Sequence, residues 1–335
     1  MTRKNYAAWS IPAAPATDSA AHDWLAHLAR YGVLAPSGHN TQPWSIAISG
    51  NAIRINTSPR RSLDYSGPAA GEPATSIGCF AQTMLEAAAA FGITLEGGYD
   101  PVTLSATYQL TGLNRPTDDG LLAAITARSS NRLPYGLEPL SEDTLDHISE
   151  TSGFAAALTL VSDREGIDFV ADQTRESTMK IMADPEFRGE LSRWVRSNLT
   201  KAHDGMPGFT QGMPTPPSLV GPLVIRNIDI SKDQAKKDAG RVSASSAIAV
   251  LSSADDRPQD FFEVGRLLAA VMIRSRRAGL DTSAIAAAVI DSATRARVRD
   301  RFGIDGAPKA IIRIGKAPKT VRHTPRWPLE AVLER

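Results

Sequence analysis

Apolar positions along this chain group into segments with helical spacing, separated by shorter runs with strand character. Trp24, Leu25 and Leu28 lead toward Leu34 in a pattern that predicts a helix, with Asp18 as its cap and Pro36 as its stop. Residues 44–48 and 53–56 read as two β-runs joined by a Ser49-Gly50-Asn51 turn. A helix follows over about 75–91, with Gly92 just beyond its end, then a strand over 102–110 and a short helix after the polar loop at 114–116. Residues 57–74 between them read as loop. Ser141, Glu142, Leu145 and Ile148 form a capped amphipathic helix pattern. Further on, 158–161, 247–251 and 310–314 read as strands, and 167–183, 185–199 and 258–278 as helices. Residues 1–17, rich in Ala and Pro, read as an extended arm. Residues 204–222 hold Gly, Pro and Met in quantity and fit no regular element, which points to a functional or mobile segment.

Two of these helices repeat one another. Ile77-Gly78 opens one and Gly92-Ile93 ends it; Val264-Gly265 and Gly279-Leu280 do the same later, each pair of glycines 14 residues apart. Between the glycines, Phe80, Met84 and Leu85 match Leu267, Val271 and Met272. The early glycine of each pair predicts close backbone approach of two central helices, where a side chain would hold them apart. The fold class that follows is α+β: two fused half-units, each a β-sheet packed with helices, covering each other's apolar faces as an intramolecular pseudo-dimer. The divisions expected are an arm at 1–17, a first half at 18–126 and a second half at 127–335.

Composition then removes function classes. The 335 residues carry 37 basic and 36 acidic side chains, a formal net charge of +1, which provides no field for nucleic acid or an anionic membrane surface. The single cysteine, Cys79, excludes an internal disulfide and a cysteine-built metal site, and its helical context reads as core. No histidine pair has ligand spacing, so no metal is expected. The start, MTRKNYAAW, lacks the apolar stretch of a secretory signal, and no run approaches 18 apolar residues, so a cytoplasmic location is the expectation. The phosphate-binding, dinucleotide-binding and nucleophile-elbow signatures are all missing from the sequence.

What remains is the segment Ala35-Pro36-Ser37-Gly38-His39-Asn40-Thr41-Gln42-Pro43-Trp44. Ser37, Asn40 and Gln42 put a hydroxyl and two amides into a helix-to-strand loop. Such a loop either reads a flat heterocycle of alternating carbonyls and ring nitrogens or caps its own backbone. The string resembles the P-S-x-x-N-x-Q-P-W loop of the nitroreductase superfamily. Arg128-Ser129-Ser130-Asn131-Arg132 resembles the family's R-x-S-x-R segment, and His323-Thr324-Pro325-Arg326-Trp327-Pro328-Leu329-Glu330 its C-terminal basic segment. With the repeat, the chain is similar to the Acg-type branch of fused, twin nitroreductase-like proteins.

That resemblance implies a nitroreductase-like fold binding one FMN. In ordinary members the flavin lies at a homodimer interface, with the R-x-S-x-R segment from one subunit and the P-S-x-x-N loop from the other. Here each motif occurs once, in different halves, which implies one site. The resemblance places the phosphate on Arg128 and Arg326, and the ribityl chain or pyrimidine edge on Ser130 and Arg132. Ser37, Asn40 and Gln42 come from the opposite half. A loop at 281–285 lies against flavin N5, with backbone N–H groups near Thr282, Ser283 and Ala284 and no catalytic side chain. Trp44 packs beneath the loop, and 204–222 is a candidate lid. The implied function is hydride transfer through flavin N5 to or from a small conjugated or nitro-type substrate, with NADH or NADPH as electron donor. The rival is a non-catalytic protein that sequesters flavin under its lid. A fused pseudo-dimer needs no second chain, so a monomer or weak homodimer is expected.

Overall fold

The structure is a computed structural model describing residues 4–63, 65 and 71–334. Residues 64 and 66–70 of the stretch read as loop, and the chain ends at 1–3 and 335, lie outside it.

The first half contains α1 (Ala21–Gly32), β1 (Trp44–Ser49), β2 (Ala52–Thr57), α2 (Gly71–Ala90), β3 (Ile93–Asp100), β4 (Ser105–Leu113) and α3 (Leu121–Ala127). The second begins with α4 (Glu142–Ser149), β5 (Ala157–Val161), α5 (Arg164–Ala183), α6 (Pro185–Trp194), β6 (Val195–Arg196), β7 (Met206–Pro207), α7 (Thr215–Ser218), α8 (Gly221–Asn227) and α9 (Ser231–Ser243). It ends with β8 (Ala247–Ser253), α10 (Pro258–Arg277), β9 (Asp281–Ile285), α11 (Ala287–Ile290), α12 (Ser292–Phe302) and β10 (Ala307–Gly315).

Two four-stranded antiparallel sheets run in the orders β1-β2-β4-β3 and β5-β8-β10-β9. The orders correspond strand for strand. Helix α10 falls between β8 and β9 as α2 falls between β2 and β3. At the crossing of α2 and α10, a Cβ on Gly78 would enter the backbone of Phe262, and one on Gly265 would enter the backbone of Thr75. The repeated early glycines therefore exist because each helix offers the other bare backbone. Cys79 Sγ–H donates to Gly265 O at 3.2 Å in this seam. One apolar core joins Leu25, Trp44, Phe80 and Met84 of the first half to Leu251, Phe262, Leu267 and Ile312 of the second.

The halves differ in what covers their sheets. All seven residues of β8 are buried, because α10 covers one face and a second core, including Ile167 of α5, Val242 of α9 and Val298 of α12, covers the other. Strand β2, by contrast, alternates, burying Ile53 and Ile55 and exposing Arg54 between them. The extra cover comes from the long insertion between β5 and β8, which carries α5 and α9, together with α12 between β9 and β10.

Several local expectations change. Asp18 does not cap α1, whose N-cap is Ala20 with no side-chain bond. Part of the arm, Lys4–Trp9, is a 3-10 turn rather than extended chain. Strand β3 is an addition to the expected elements: it pairs only with β4 and is largely exposed, so it has no apolar alternation to read. Helix α6 stops at Trp194 because Val195 turns extended and pairs with Met206. Residues 204–222 are not irregular throughout, since β7, a 3-10 turn and α7 lie there. Asn198 organises them, accepting from Phe209 N and donating to Met213 O, while its own N–H donates to Ser218 Oγ. Residues 281–285 are not a loop but strand β9, registered on β10. Among the described residues no helix is long and apolar enough to cross a membrane.

Candidate functional site

The loop between α1 and β1 is held in a costly conformation. His39, Asn40 and Gln42 take φ values of 47°, 59° and 55°, in the left-handed region that side chains disfavour. Its own polar groups hold it there. Gln42 N–H donates to Ser37 Oγ at 3.0 Å. Asn40 Nδ2 donates to Gly205 O at 2.9 Å and Pro325 O at 3.0 Å. Gln42 Nε2 donates to His203 O at 2.8 Å, and its Oε1 accepts from Trp327 N–H at 2.9 Å. The two amides thus tie the loop to the insertion and to the C-terminal segment. Trp44 is fully buried beneath, edge-on to Phe80.

Two guanidiniums meet behind this loop. Arg128, at the end of α3, is 4% exposed and donates Nη2–H to Leu34 O at 3.1 Å, while its Nη1 is buried without a partner among the described residues. Arg326 is 3% exposed. It donates to Ala35 O at 3.2 Å, to Pro325 O at 3.1 Å, to Asn40 Oδ1 and to Thr324 Oγ1, and its Nε has no partner among the described residues. Burial lowers Arg128 to about 10. Burial first, and then the charge of Arg128, hold Arg326 well below the ordinary guanidinium range. No carboxylate pairs with either among the described residues.

Two buried like charges with N–H groups left over are expensive, since each loses hydration without a counter-charge. They suit an anion. The cleft they line is completed by Trp9, Ser129, Ser130 and His323. Burial, then the two arginines, push His323 down to about 4, so it is neutral at pH 7; its Nδ1 is buried without a partner among the described residues. Residues able to hold a phosphate are therefore assembled at one place.

Ser130 reaches the second sheet, forming a parallel bridge with Thr282, and Asn131 N–H donates to Thr282 O at 2.9 Å. This puts the 128–132 segment along the free edge of β9. Arg132 is half-buried there, lowered by burial and by Arg241. The Ser283 hydroxyl accepts from Arg313 Nη1–H at 3.2 Å and is fully buried, whereas Ala284 is exposed.

Of the residues singled out in the sequence, Ser37, Asn40, Gln42, Arg128 and Arg326 converge, and Ser130 and Arg132 adjoin Thr282. His39, Glu72 and His323 were not singled out. All three have buried polar atoms without partners, and nothing in local sequence marks that.

No family model matches the chain. Proteins of Mycobacterium tuberculosis (strain ATCC 25618 / H37Rv) align with nearly all of it. An uncharacterized protein is 25% identical over 325 residues, covering 90% of this chain and 90% of its own. The putative NAD(P)H nitroreductase acg is 25% identical over 323 residues, covering 89% and 91%. Among solved structures, a nitroreductase with bound FMN from Desulfitobacterium hafniense DCB-2 matches 63% of this chain and 95% of its own, with 14% identity and a TM-score of 0.41. The FMN and NADPH-dependent nitroreductase NfnB from sphigopyxis sp. strain HMH matches 64% and 98%, with 18% identity and a TM-score of 0.44. The two corresponding sheets and the paired central helices give the chain a twin α+β organisation, and along nearly its whole length it is similar to a putative NAD(P)H nitroreductase, acg.

Proposed function

We propose that this protein is an FMN-dependent, NAD(P)H-linked oxidoreductase acting on a small conjugated or nitro-type molecule. The supporting observation is the pair of buried guanidiniums, Arg128 and Arg326, each with an N–H that has no partner among the described residues. A phosphate monoester supplies the missing charge and acceptors, and Ser129 and Ser130 lie on the same cleft. The bound flavin supplies two-electron chemistry at N5. The chain's own part is to bind and orient. Arg128 and Arg326 fix the phosphate, the 37–42 loop covers one side, and the backbone of Ala284, on the free edge of β9, offers an N–H beside the ring, whereas Thr282 is bridged to Ser130 and Ser283 faces β10. Arg132 provides positive charge against the pyrimidine end, which favours a reduced, anionic ring. We take 18–126 and 127–335 as the halves that enclose the site.

A second reading has its own support. Asn40 and Gln42 bond the backbone of Gly205 and His203, so the proposed lid is pinned to the loop it covers. A lid held shut would sequester the flavin rather than admit substrate. Purified protein should bind FMN tightly and show its yellow absorption. Anaerobic mixing with NADH and NADPH then separates the readings: rapid bleaching supports the oxidoreductase, and an unbleached flavin with both donors supports sequestration. A protein that takes up no FMN ends both.

A further inference from the structure

Glu72, in the first turn of α2, has one carboxyl oxygen in use and one without a partner. Its Oε1 accepts from Gly38 N–H at 2.9 Å and from Ser76 Oγ–H at 2.6 Å. Its Oε2 is enclosed and meets no donor among the described residues. Gly38 closes directly over the carboxyl, since a Cβ there would lie 2.5 Å from Oε1. The next residue, His39, is held at a φ of 47° and has an enclosed Nε2 that also lacks a partner among the described residues. One residue further on, Asn40 is hydrogen-bonded to Arg326, so these atoms belong to the same loop that meets the guanidinium pair.

Protein interiors rarely leave such groups unmatched, and a pair of them at a ligand loop calls for complementary atoms from the ligand. Burial raises Glu72 to about 7 and lowers His39 to about 4. The neighbouring charges are few: Glu190 raises both, and Arg132 lowers His39. Near neutral pH, Glu72 is therefore able to ionise and His39 is neutral.

We propose that Glu72 Oε2 is a ligand-reading acceptor that takes the N–H of an imide or lactam edge of a flat heterocycle, with His39 beside it. The proposal rests on the FMN reading for the identity of the heterocycle, whose pyrimidine edge carries an N–H between two carbonyls. Glu72 is a positioning residue: it selects and orients the ring and takes no part in electron transfer. The structure gives it a rigid mount, because Gly38 N–H and Ser76 Oγ–H fix the other oxygen.

The test compares FMN with its N3-methyl analogue, using fluorescence quenching to measure Kd in wild type, Glu72→Gln and Glu72→Ala. Wild type should prefer FMN by about tenfold or more, and Glu72→Ala should lose that preference. FMN affinity of wild type should also rise as pH increases through about 7, because ionisation creates the acceptor, and that dependence should vanish in Glu72→Gln. Glu72→Gln keeps an oxygen to accept from Gly38 of the loop and from Ser76 of α2, so a loss of binding from a disturbed loop would show in Glu72→Ala alone. If wild type binds FMN and the methylated analogue equally, or binds FMN better as pH falls, the inference is overturned and the FMN reading stands. If wild type binds neither, both fall.

Discussion

Arg326 and Asn40, 286 residues apart in sequence, are joined through guanidinium Nη1–H and amide Oδ1. That bond couples the C-terminal segment to the α1–β1 loop, and Arg128 meets the same structure through Leu34 O. The two arginines therefore have different balances of structural and binding roles. Arg326→Ala strands the acceptors at Asn40 and Ala35 and should destabilise the protein by about 3 kcal/mol or more, read as a shift in the urea midpoint.

Arg128→Ala should behave otherwise. It loses one carbonyl bond but also removes a buried positive charge beside Arg326. Stability without ligand should change by less than about 1.5 kcal/mol. Affinity for FMN should fall about 10- to 150-fold, because a charge-assisted bond to phosphate is lost. Calorimetric titration checks it, and unchanged affinity removes Arg128 from the site.

The helix seam makes a separate prediction. Gly78→Ala or Gly265→Ala drives a methyl group into the opposite backbone and should cost about 3 kcal/mol or more, with the two halves separating. A Cβ added at Gly240 in α9 would meet nothing within 4 Å, so Gly240→Ala should stabilise by about 0.5–1 kcal/mol. Denaturant unfolding of the three variants distinguishes a local helix effect from the crossing.

Acid should weaken the fold through its buried histidines. His39 and His323 titrate near 4 when folded, against 6.5 for the ordinary side chain. Their folded values are depressed, so the unfolded chain takes up protons first as pH falls. The histidine contribution to stability should be complete above about 6.5 and decline between there and about 4. Glu72 acts oppositely, since its raised value makes stability fall as pH rises from 4.5 to about 7. Replacing His323 with Asn should flatten the acid decline without touching the Glu72 arm, measured as thermal midpoint against pH.

The arm should restrain the insertion. Asn5 is 3% exposed and donates to Thr200 O at 3.2 Å and Ala202 O at 3.0 Å. Asn5→Ala should therefore speed limited proteolysis within 199–214 and accelerate FMN uptake, both measured against wild type.

Much of the fold was legible because its signals are local or periodic. Ser141 caps α4 as its spacing predicts, and the matched glycines anticipate the crossing of α2 and α10. Strand β3 escapes such reading since an exposed edge strand needs no apolar alternation, and β9 because a five-residue strand between helices looks like a turn. At the site, the loop string pointed to Asn40 and Gln42, but their bonds to Gly205 and His203 lie across more than 160 residues. Glu72 was invisible for the same reason: its importance arises from Gly38 above it, which no spacing in the chain records.

The matched strand orders have one more implication. In a symmetric assembly of two identical chains, any change at one site is imposed on its twin. Here the halves are encoded separately, so an alteration in one leaves the other intact. That freedom allows the long insertion between β5 and β8 to exist on one side alone, where a true dimer would have been obliged to carry it twice.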